Sequence, residues 1–278
     1  MIRHHARAQT RTQRIVLAAA FVVSLLLIAV GVAYANRVRI KEAVSRLTAP
    51  RLPAEEAYRP PAPTGTHPDM EIRERPATAT PPNPSSDLPN EKRLAVPFTS
   101  QAPHANWDET HNETCEEASV LMVQEYYEGA TGVLAPDDAE AKLMDLVAFQ
   151  NERYGFFEDT SATETKRLVE ARWPDLSVRI LPMNGPDDVK RWIAAGVPVI
   201  LPADGKTLPN PNFRNGGPKY HMLVVRGYTE DHFITNDPGT RNGQNFLYTY
   251  PGLLDAVHDW NNGDVPNGDK VMLVIQKK

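Results

Sequence analysis

The single cysteine of the chain, Cys115, stands at the start of a segment with a helical pattern. Thr114 precedes it, and Glu117 follows three residues after that threonine. This capping-box pattern predicts Thr114 as the N-cap and Cys115 as the first helical residue. Free backbone N–H groups and the helix dipole stabilise negative charge there, which predicts a lowered thiol pKa and a nucleophilic cysteine. The alternative is a buried structural cysteine that packs as a small hydrophobic residue.

Two apolar segments downstream carry the polar groups that a thiol nucleophile needs. Residues 219–228 predict a buried strand with His221 near its start, and residues 232–236 predict a strand that ends at Asn236 and Asp237. A hairpin of these strands brings His221 close to the Asn–Asp pair. An imidazole that takes the thiol proton and a carboxylate that orients the ring complete a Cys–His–Asp triad. Asn236 is an alternative orienting group, and Asp237 alternatively serves only the Asp-Pro-Gly turn.

Amide cleavage by a thiol also requires donors for the oxyanion. Gln101 lies fourteen residues before Cys115, and its side-chain amide can complement the backbone N–H of the cysteine. With this residue the chain resembles the bacteriocin-processing-like (double-glycine leader peptidase-like) cysteine peptidases over roughly residues 94–278. The resemblance is carried, in chain order, by Val-Pro-Phe-Thr-Ser-Gln at 96–101, Cys-Glu-Glu-Ala-Ser at 115–119, Tyr-His-Met-Leu-Val-Val at 220–225 and Asn-Asp-Pro-Gly at 236–239.

The resemblance implies a papain-like fold and hydrolysis of peptide bonds in a peptide or protein substrate. No Gly-rich phosphate loop and no zinc-spaced Cys/His cluster stands out in the sequence, so no cofactor or metal is expected. It implies Cys115 as nucleophile, His221 as base, Asp237 as orienting acid and Gln101 in the oxyanion hole. The processing members of that family are usually fused to a transporter with membrane-spanning and ATP-binding domains. Neither is found in this sequence, so the resemblance does not specify the substrate.

The order of predicted elements indicates an α+β domain in which the nucleophile helix packs on an antiparallel sheet. Helices come first and strands mostly later, as expected when a helical layer covers such a sheet. The predicted helices span 115–128, 137–152, 161–173, 186–195 and 253–260, and the predicted strands span 176–181, 197–203, 219–228, 232–236, 245–250 and 270–276.

The N-terminal third predicts a membrane anchor and a linker. Residues 15–35 are uncharged and apolar, long enough for one transmembrane helix, and the basic residues in 1–14 favour a cytoplasmic tail. Residues 36–93 are rich in proline and poor in aliphatic side chains, which predicts a disordered extracytoplasmic linker. The domain at 94–278 is then expected outside the cytoplasm on a single-pass anchor. The alternative is a secreted protein, released by signal cleavage after Ala33-Tyr34-Ala35.

Composition narrows the function further. One cysteine excludes an intramolecular disulfide framework, and a formal net charge of −5 disfavours a dedicated nucleic-acid binder. Two features near the triad are candidates for the cleft: the Gly/Pro-rich loop at 204–218 and Trp107. Each is alternatively an ordinary surface loop or core residue.

Alternatives to a peptidase remain at this stage. They are another thiol acyl-transfer enzyme of the amidase or transglutaminase type, a non-catalytic module that binds a peptide or cell-wall fragment on the same fold, and a structural envelope protein. The sequence does not indicate an oligomeric state.

Overall fold

The computed structural model describes residues 19, 21–23, 51–60 and 88–278 of the chain. Contacts divide the chain into two units, Met1–Arg51 and Leu52–Lys278, and only the second is described below. The predicted cytoplasmic tail at 1–14 lies outside the described residues, as does almost all of the predicted span at 15–35. In the ranges that are described, every helix is too short or too polar to cross a bilayer.

One mixed sheet forms the centre of the second unit. Its strands follow the order β1-β2-β5-β4-β8-β3, and β6 pairs with β5 and with β7. Every pairing is antiparallel except that of β1 with β2. The strands are β1 (Glu55–Glu56), β2 (Lys92–Leu94), β3 (Leu176–Pro182), β4 (Val199–Ala203), β5 (His221–Tyr228), β6 (His232–Asn236), β7 (Gln244–Thr249) and β8 (Val271–Lys277).

Helices cover this sheet. They are α1 (Cys115–Tyr127), α2 (Pro136–Tyr154), α3 (Ala162–Arg172), α4 (Pro186–Ala194) and α5 (Tyr250–Ala256). Eleven of the thirteen residues of α1 are buried, because this helix lies between β5 on one side and α2 on the other. The apolar run of β5 is buried along its whole length, so the start of α1 and the start of β5 are held together by the core.

The α+β class predicted from the sequence is confirmed, and so is the capping box of α3. There the Ser161 hydroxyl accepts a hydrogen bond from the Glu164 backbone, and the Glu164 carboxylate accepts one from the Ser161 backbone. The last predicted helix was placed too late in the chain. It begins at Tyr250 because Thr249 caps it and Pro251 occupies its first turn.

The capping box predicted for α1 is wrong. The Thr114 hydroxyl makes no cap; it donates to the backbone oxygen of Gln101 at 3.1 Å instead. Glu117, the expected capping partner, turns into the core and accepts a short hydrogen bond from Gln150. Burial on all sides therefore overrides the local signal at this helix end.

Part of the predicted linker belongs to the folded unit. Glu55 and Glu56 form β1 and pair in parallel with Arg93 and Leu94 of β2. Tyr58 then packs edge-on against two tyrosines of α1, with ring centroids 5.5 Å from Tyr126 and 4.9 Å from Tyr127. The proline content of the region did not predict this, because two strand residues and one aromatic ring are too short a pattern to stand out.

A buried arginine explains why β1 docks here. Arg226 is fully buried at an irregularity of the β5–β6 pairing, where a bulge redirects the side chain. Its guanidinium donates to the backbone oxygen of Leu94, to Asn245 Oδ1 at 3.1 Å and to Glu55 Oε1 at 2.7 Å. Glu55 thus supplies the carboxylate that a buried cation requires.

Two matched truncations test this docking. Removing residues 1–51 keeps the whole second unit and gives the reference midpoint. Removing residues 1–60 also deletes β1, the partner of Arg226 and the Tyr58 ring, and should cost about 2–3 kcal/mol. Urea unfolding followed by tryptophan fluorescence measures the difference, and equal midpoints for the two truncations would refute the docking.

Candidate active site

Cys115 lies at the first position of α1, as predicted, but its thiol is buried. The residue is 5% exposed, and Sγ donates a hydrogen bond to Glu116 Oε2 at 3.0 Å. The backbone N–H of Met222, the residue after His221, also interacts with the sulfur and favours its thiolate form. This contact sets the thiol beside the start of β5. Among the described residues, Sγ makes no hydrogen bond to His221.

The thiol pKa moves in the direction opposite to the sequence prediction. Burial raises the pKa of Cys115 well above its usual value, and the charge and hydrogen bond of Glu116 raise it further. The prediction considered only the helix N-terminus, which favours a thiolate. Desolvation and an adjacent carboxyl outweigh that effect. In this arrangement the sulfur is held as a neutral thiol.

Two neighbouring carboxyl groups are buried behind the thiol. Burial raises the pKa of Glu116 well above its usual value, and the neighbouring Glu117 raises it further. Burial raises the pKa of Glu117 to about 7, although a hydrogen bond from Gln150 opposes the shift. One oxygen of each carboxyl group is buried without a partner among the described residues. Sequence analysis considered Glu117 only as a cap and missed Glu116, whose position next to the cysteine was the available signal.

His221 and Asp237 form a buried pair. His221 is the first residue of β5, Asp237 directly follows β6, and the ring Nε2 lies 2.8 Å from Asp237 Oδ1. The hairpin predicted from the sequence therefore brings this imidazole to this carboxylate. Because Nε2 is engaged with Asp237, Nδ1 is the ring nitrogen left for another partner. Asn236, the alternative orienting residue, faces away and donates to the backbone oxygen of Pro97 at 2.9 Å.

Further donors surround the Asp237 carboxylate. Oδ1 also accepts from the backbone N–H of Gly239 at 3.0 Å, and Oδ2 accepts from Asn210 at 2.9 Å and from the Tyr248 hydroxyl at 2.6 Å. Burial raises the pKa of Asp237, but His221 and these hydrogen bonds outweigh it and hold the pKa below its usual value. The residue is thus a carboxylate, fixed in position. Asn210 and Tyr248 were not predicted, because only the folded chain brings them to Asp237.

The imidazole is also held by its apolar neighbours. The Phe213 ring packs edge-on against it, with centroids 5.3 Å apart. Gly239 lies against both rings: a Cβ there would come within 2.8 Å of Phe213 and 2.9 Å of His221. Glycine at 239 is therefore required by close approach to the imidazole, in addition to the turn chemistry that the sequence indicated.

The Gln101 side chain lies at the cleft but its donors are engaged. Its Nε2 donates to the backbone oxygens of His111 at 2.8 Å and Asn112 at 3.0 Å. Its Oε1 is buried without a partner in the part of the chain that is described. These bonds fix the side chain against the short 3-10 helix His111–Glu113, which leads directly into α1.

A histidine that sequence analysis did not consider braces this segment. His111 is buried, and its ring lies 2.6 Å from Asp108 Oδ1 and 2.9 Å from Glu140 Oε1. Burial lowers its pKa, but the two carboxylates outweigh burial and the net shift is upward. The ring therefore connects the segment that holds Gln101 to α2 through Asp108 and Glu140.

An open cavity of about 620 Å³ lies above these groups. One wall comes from the segment before α1 and includes Gln101, Trp107 and Glu113; the other comes from the sheet side and includes His221 and Phe213. Residues of the predicted loop at 204–218 border it, as does Trp107. The buried Cys115 is not among the residues that line it.

The chain was compared with known proteins. The model of the Peptidase_C39 like family matches residues 93–263, which is more than half of the chain. This range contains each of the candidate residues at the cleft. No curated protein is similar enough to the chain to count as a match.

One solved structure shows how far the similarity extends. A crystal structure of a candidate C39-like peptidase from Bacillus anthracis aligns with a TM-score of 0.42 and 16% identity, over 67% of this chain and 97% of that chain. The α+β architecture with its mainly antiparallel sheet fits the papain-like fold that the sequence resemblance implied.

Replacement of Glu116 tests the origin of the raised thiol pKa. Glu116→Gln removes the carboxylate charge beside Sγ, so the pKa of Cys115 should fall. The rate of iodoacetamide alkylation, measured against pH, gives this pKa. Glu117→Gln is the matched control, because Glu117 is the smallest of the causes acting on Cys115 and should shift the profile much less. An unchanged profile in Glu116→Gln would contradict the assignment.

The raised pKa of Glu117 predicts a loss of stability with rising pH. Its folded pKa of about 7 exceeds the usual 4.5. The contribution of protonated Glu117 to the free energy of unfolding is therefore fully present below about pH 4.5 and is lost as pH rises through 7. Glu117→Gln should therefore stabilise the protein at pH 8 by about 1–3 kcal/mol, and by much less at pH 4.5. Urea unfolding at both pH values measures this, with the exposed Glu109→Gln as control. A gain independent of pH would exclude the titration of Glu117 as its cause.

Proposed function

The chain belongs to the Peptidase_C39 like family, and on that basis we propose that it is a cysteine peptidase with Cys115 as its nucleophile. The observation that carries the proposal is the buried His221–Asp237 pair. His221 directly precedes Met222 in β5, and the backbone N–H of Met222 contacts the sulfur of Cys115. A nucleophile, a base and an orienting acid are the groups that acyl transfer to a thiol requires.

The proposed reaction begins with a rotation of the Cys115 side chain. In the structure the thiol proton is donated to Glu116. The proposed base is Nδ1 of His221, which has no hydrogen-bond partner among the described residues because Nε2 is the nitrogen engaged with Asp237. After rotation, Nδ1 takes the thiol proton and Sγ attacks the peptide carbonyl carbon. Asp237 holds the imidazolium in place through Nε2. The amine leaves with the proton from Nδ1, and a water activated by His221 hydrolyses the acyl-enzyme.

Charge on the tetrahedral oxygen needs donors in this scheme. The backbone N–H of Cys115 is one, because the first amides of a helix have no intrahelical acceptor. Gln101 is proposed as the second. Both hydrogens of its Nε2 are now donated to backbone oxygens, so one of these bonds has to be exchanged for the oxyanion. Thus both the nucleophile and the oxyanion donor rearrange when substrate binds.

We place this activity on the extracytoplasmic side of a membrane, on a single-pass anchor formed by residues 15–35. The support is the length and apolar character of that segment and the basic residues before it. Secretion after cleavage near Ala35 is the alternative. Fractionation of cells that express the full chain with a C-terminal tag separates a membrane-bound protein from a released one.

A second candidate function is a non-catalytic peptide-binding module. The specific observation in its favour is the neutral, buried thiol, whose hydrogen bond goes to Glu116 rather than to His221. Such a module would bind peptides in the cleft and leave them intact.

Single substitutions distinguish the two functions. Cys115→Ala should abolish cleavage of a mixed pool of fluorogenic peptides, and His221→Ala should lower kcat/KM by at least about a hundred-fold because the base is lost. A second His–Asp pair outside the cleft, His232 with Asp231 at 2.7 Å, gives the matched control: His232→Ala should cleave at the wild-type rate. Full activity of Cys115→Ala would exclude the proposed mechanism, and peptide binding without cleavage by the wild type would favour the binding module.

A further inference from the structure

The wall of the cleft that carries His221 is positively charged. Lys206, Arg214 and Arg241 all line the cavity on this side. Glu113 on the opposite wall is the only acidic residue among the described residues that line the cavity. Burial and the nearby acidic side chains of Asp159 and Glu158 raise the pKa of Glu113 above its usual value. This distribution contrasts with the formal net charge of −5 of the whole chain.

Two of these cations have no partner within the described part of the chain. Arg214 and Arg241 are exposed, and neither guanidinium makes a hydrogen bond or ion pair there. Most of the other arginines described have an anionic, carbonyl or aromatic partner, as Arg226 does. A guanidinium presents a planar set of donors that fits a carboxylate in a bidentate manner. Two such groups at one cavity wall therefore offer a ready site for an anion of this shape.

Arg214 lies in the loop at 204–218, the first loop, and Arg241 lies in the turn after Asp237, the second loop. Contacts with His221 and Asp237 hold both loops in place. Arg214 follows Phe213, which packs on the His221 ring, and Arg241 lies two residues after Gly239, which contacts that ring closely. Asn210 connects the first loop to Asp237 at 2.9 Å, and Asn212 accepts a hydrogen bond from Asn242 of the second loop at 3.4 Å. The two loops thus form one wall.

Lys206 braces this wall from behind. Its ammonium donates to the backbone oxygen of Asn215 at 3.2 Å and to that of Gly217. Gly217 has a φ of +95°, and a Cβ there would come within 2.1 Å of the Gly205 oxygen, so the loop is folded tightly on itself. The arginines are therefore carried on a preorganised segment, which limits the ordering cost of binding.

We propose that this wall binds a carboxylate of the peptide substrate and that Arg214 and Arg241 select substrates with an acidic group next to the scissile bond. The selection of substrates for cleavage rests on the proposed peptidase function. Binding of a carboxylate at this wall does not depend on catalysis. The carboxylate belongs either to an Asp or Glu side chain or to the C-terminus of the peptide. These two sources share the same chemistry and are separated by experiment.

The test begins with binding to the full chain carrying Cys115→Ala, which cannot turn substrate over. Fluorescent peptide pools of matched sequence contain Glu or Gln at each position in turn, and each pool is prepared with a free or an amidated C-terminus. We expect at least one acidic pool to bind about five- to ten-fold more tightly than its neutral match, an advantage that declines with added salt. Preference for Glu identifies a side-chain carboxylate, and preference for the free terminus identifies the end of the chain.

Substitution of the arginines completes the test. The combined change Arg214→Gln and Arg241→Gln should abolish the advantage of the acidic pool and leave the neutral pool unaffected, while the exposed Arg59→Gln should preserve the advantage. Equal binding of acidic and neutral pools, no binding of either, or an advantage that survives the double substitution would each overturn the proposal.

Cleavage by the wild type then separates the proposed peptidase function from the proposed binding of acidic groups by Arg214 and Arg241. Selective binding without cleavage would refute the peptidase function and support the anion site. Cleavage of acidic and neutral peptides at equal kcat/KM would support the peptidase and refute the selection of acidic substrates. Cleavage that favours the acidic pool, and loses this preference in the double variant, would support both.

Discussion

The carboxylate of Asp237 is fully buried, and a buried charge is tolerated only where hydrogen bonds from the protein replace those of water. Its donors come from four other places in the chain: His221 at the start of β5, Asn210 in the long loop, Gly239 in the following turn and Tyr248 in β7. Satisfying one carboxylate therefore determines where these segments meet. The wall of the cleft that carries Arg214 and Arg241 depends on that requirement.

The thiol side of the cleft is organised by a different compromise. Glu116 and Glu117 are buried at the start of α1, and burial favours their neutral forms. The Glu116 carboxyl accepts the hydrogen bond of the thiol, so it holds the thiol proton away from His221. In this arrangement the sulfur is held as a neutral thiol. Under the proposed function, reactivity is then acquired on substrate binding rather than stored in a resting thiolate and imidazolium pair.

The sequence alone could predict the parts of this site that have a local signature. Apolar periodicity and turn residues are patterns that span only a few positions. These patterns were enough to predict that Cys115 begins a helix and that His221 and Asp237 lie at the ends of a hairpin. The thiol pKa could not be predicted in this way, since it depends on how deeply α1 is buried. Thr114 failed as a cap for the same reason. Asn210, Tyr248 and Arg214 reach the cleft from distant segments, and only the sheet topology brings them there.

The docking of Glu55 and Tyr58 changes how a pull on the N-terminus would be transmitted. Residues 52–60 and β2 belong to the same folded unit, so the proline-rich chain between them is bypassed by non-covalent contacts. Tension applied ahead of residue 52 would act first on the β1–β2 ladder, on the Glu55–Arg226 ion pair and on the Tyr58 stack. Only after these had sheared apart would the load pass to the covalent chain that joins residue 60 to residue 88. The docked β1 segment therefore sets a mechanical threshold for any pull on the N-terminus.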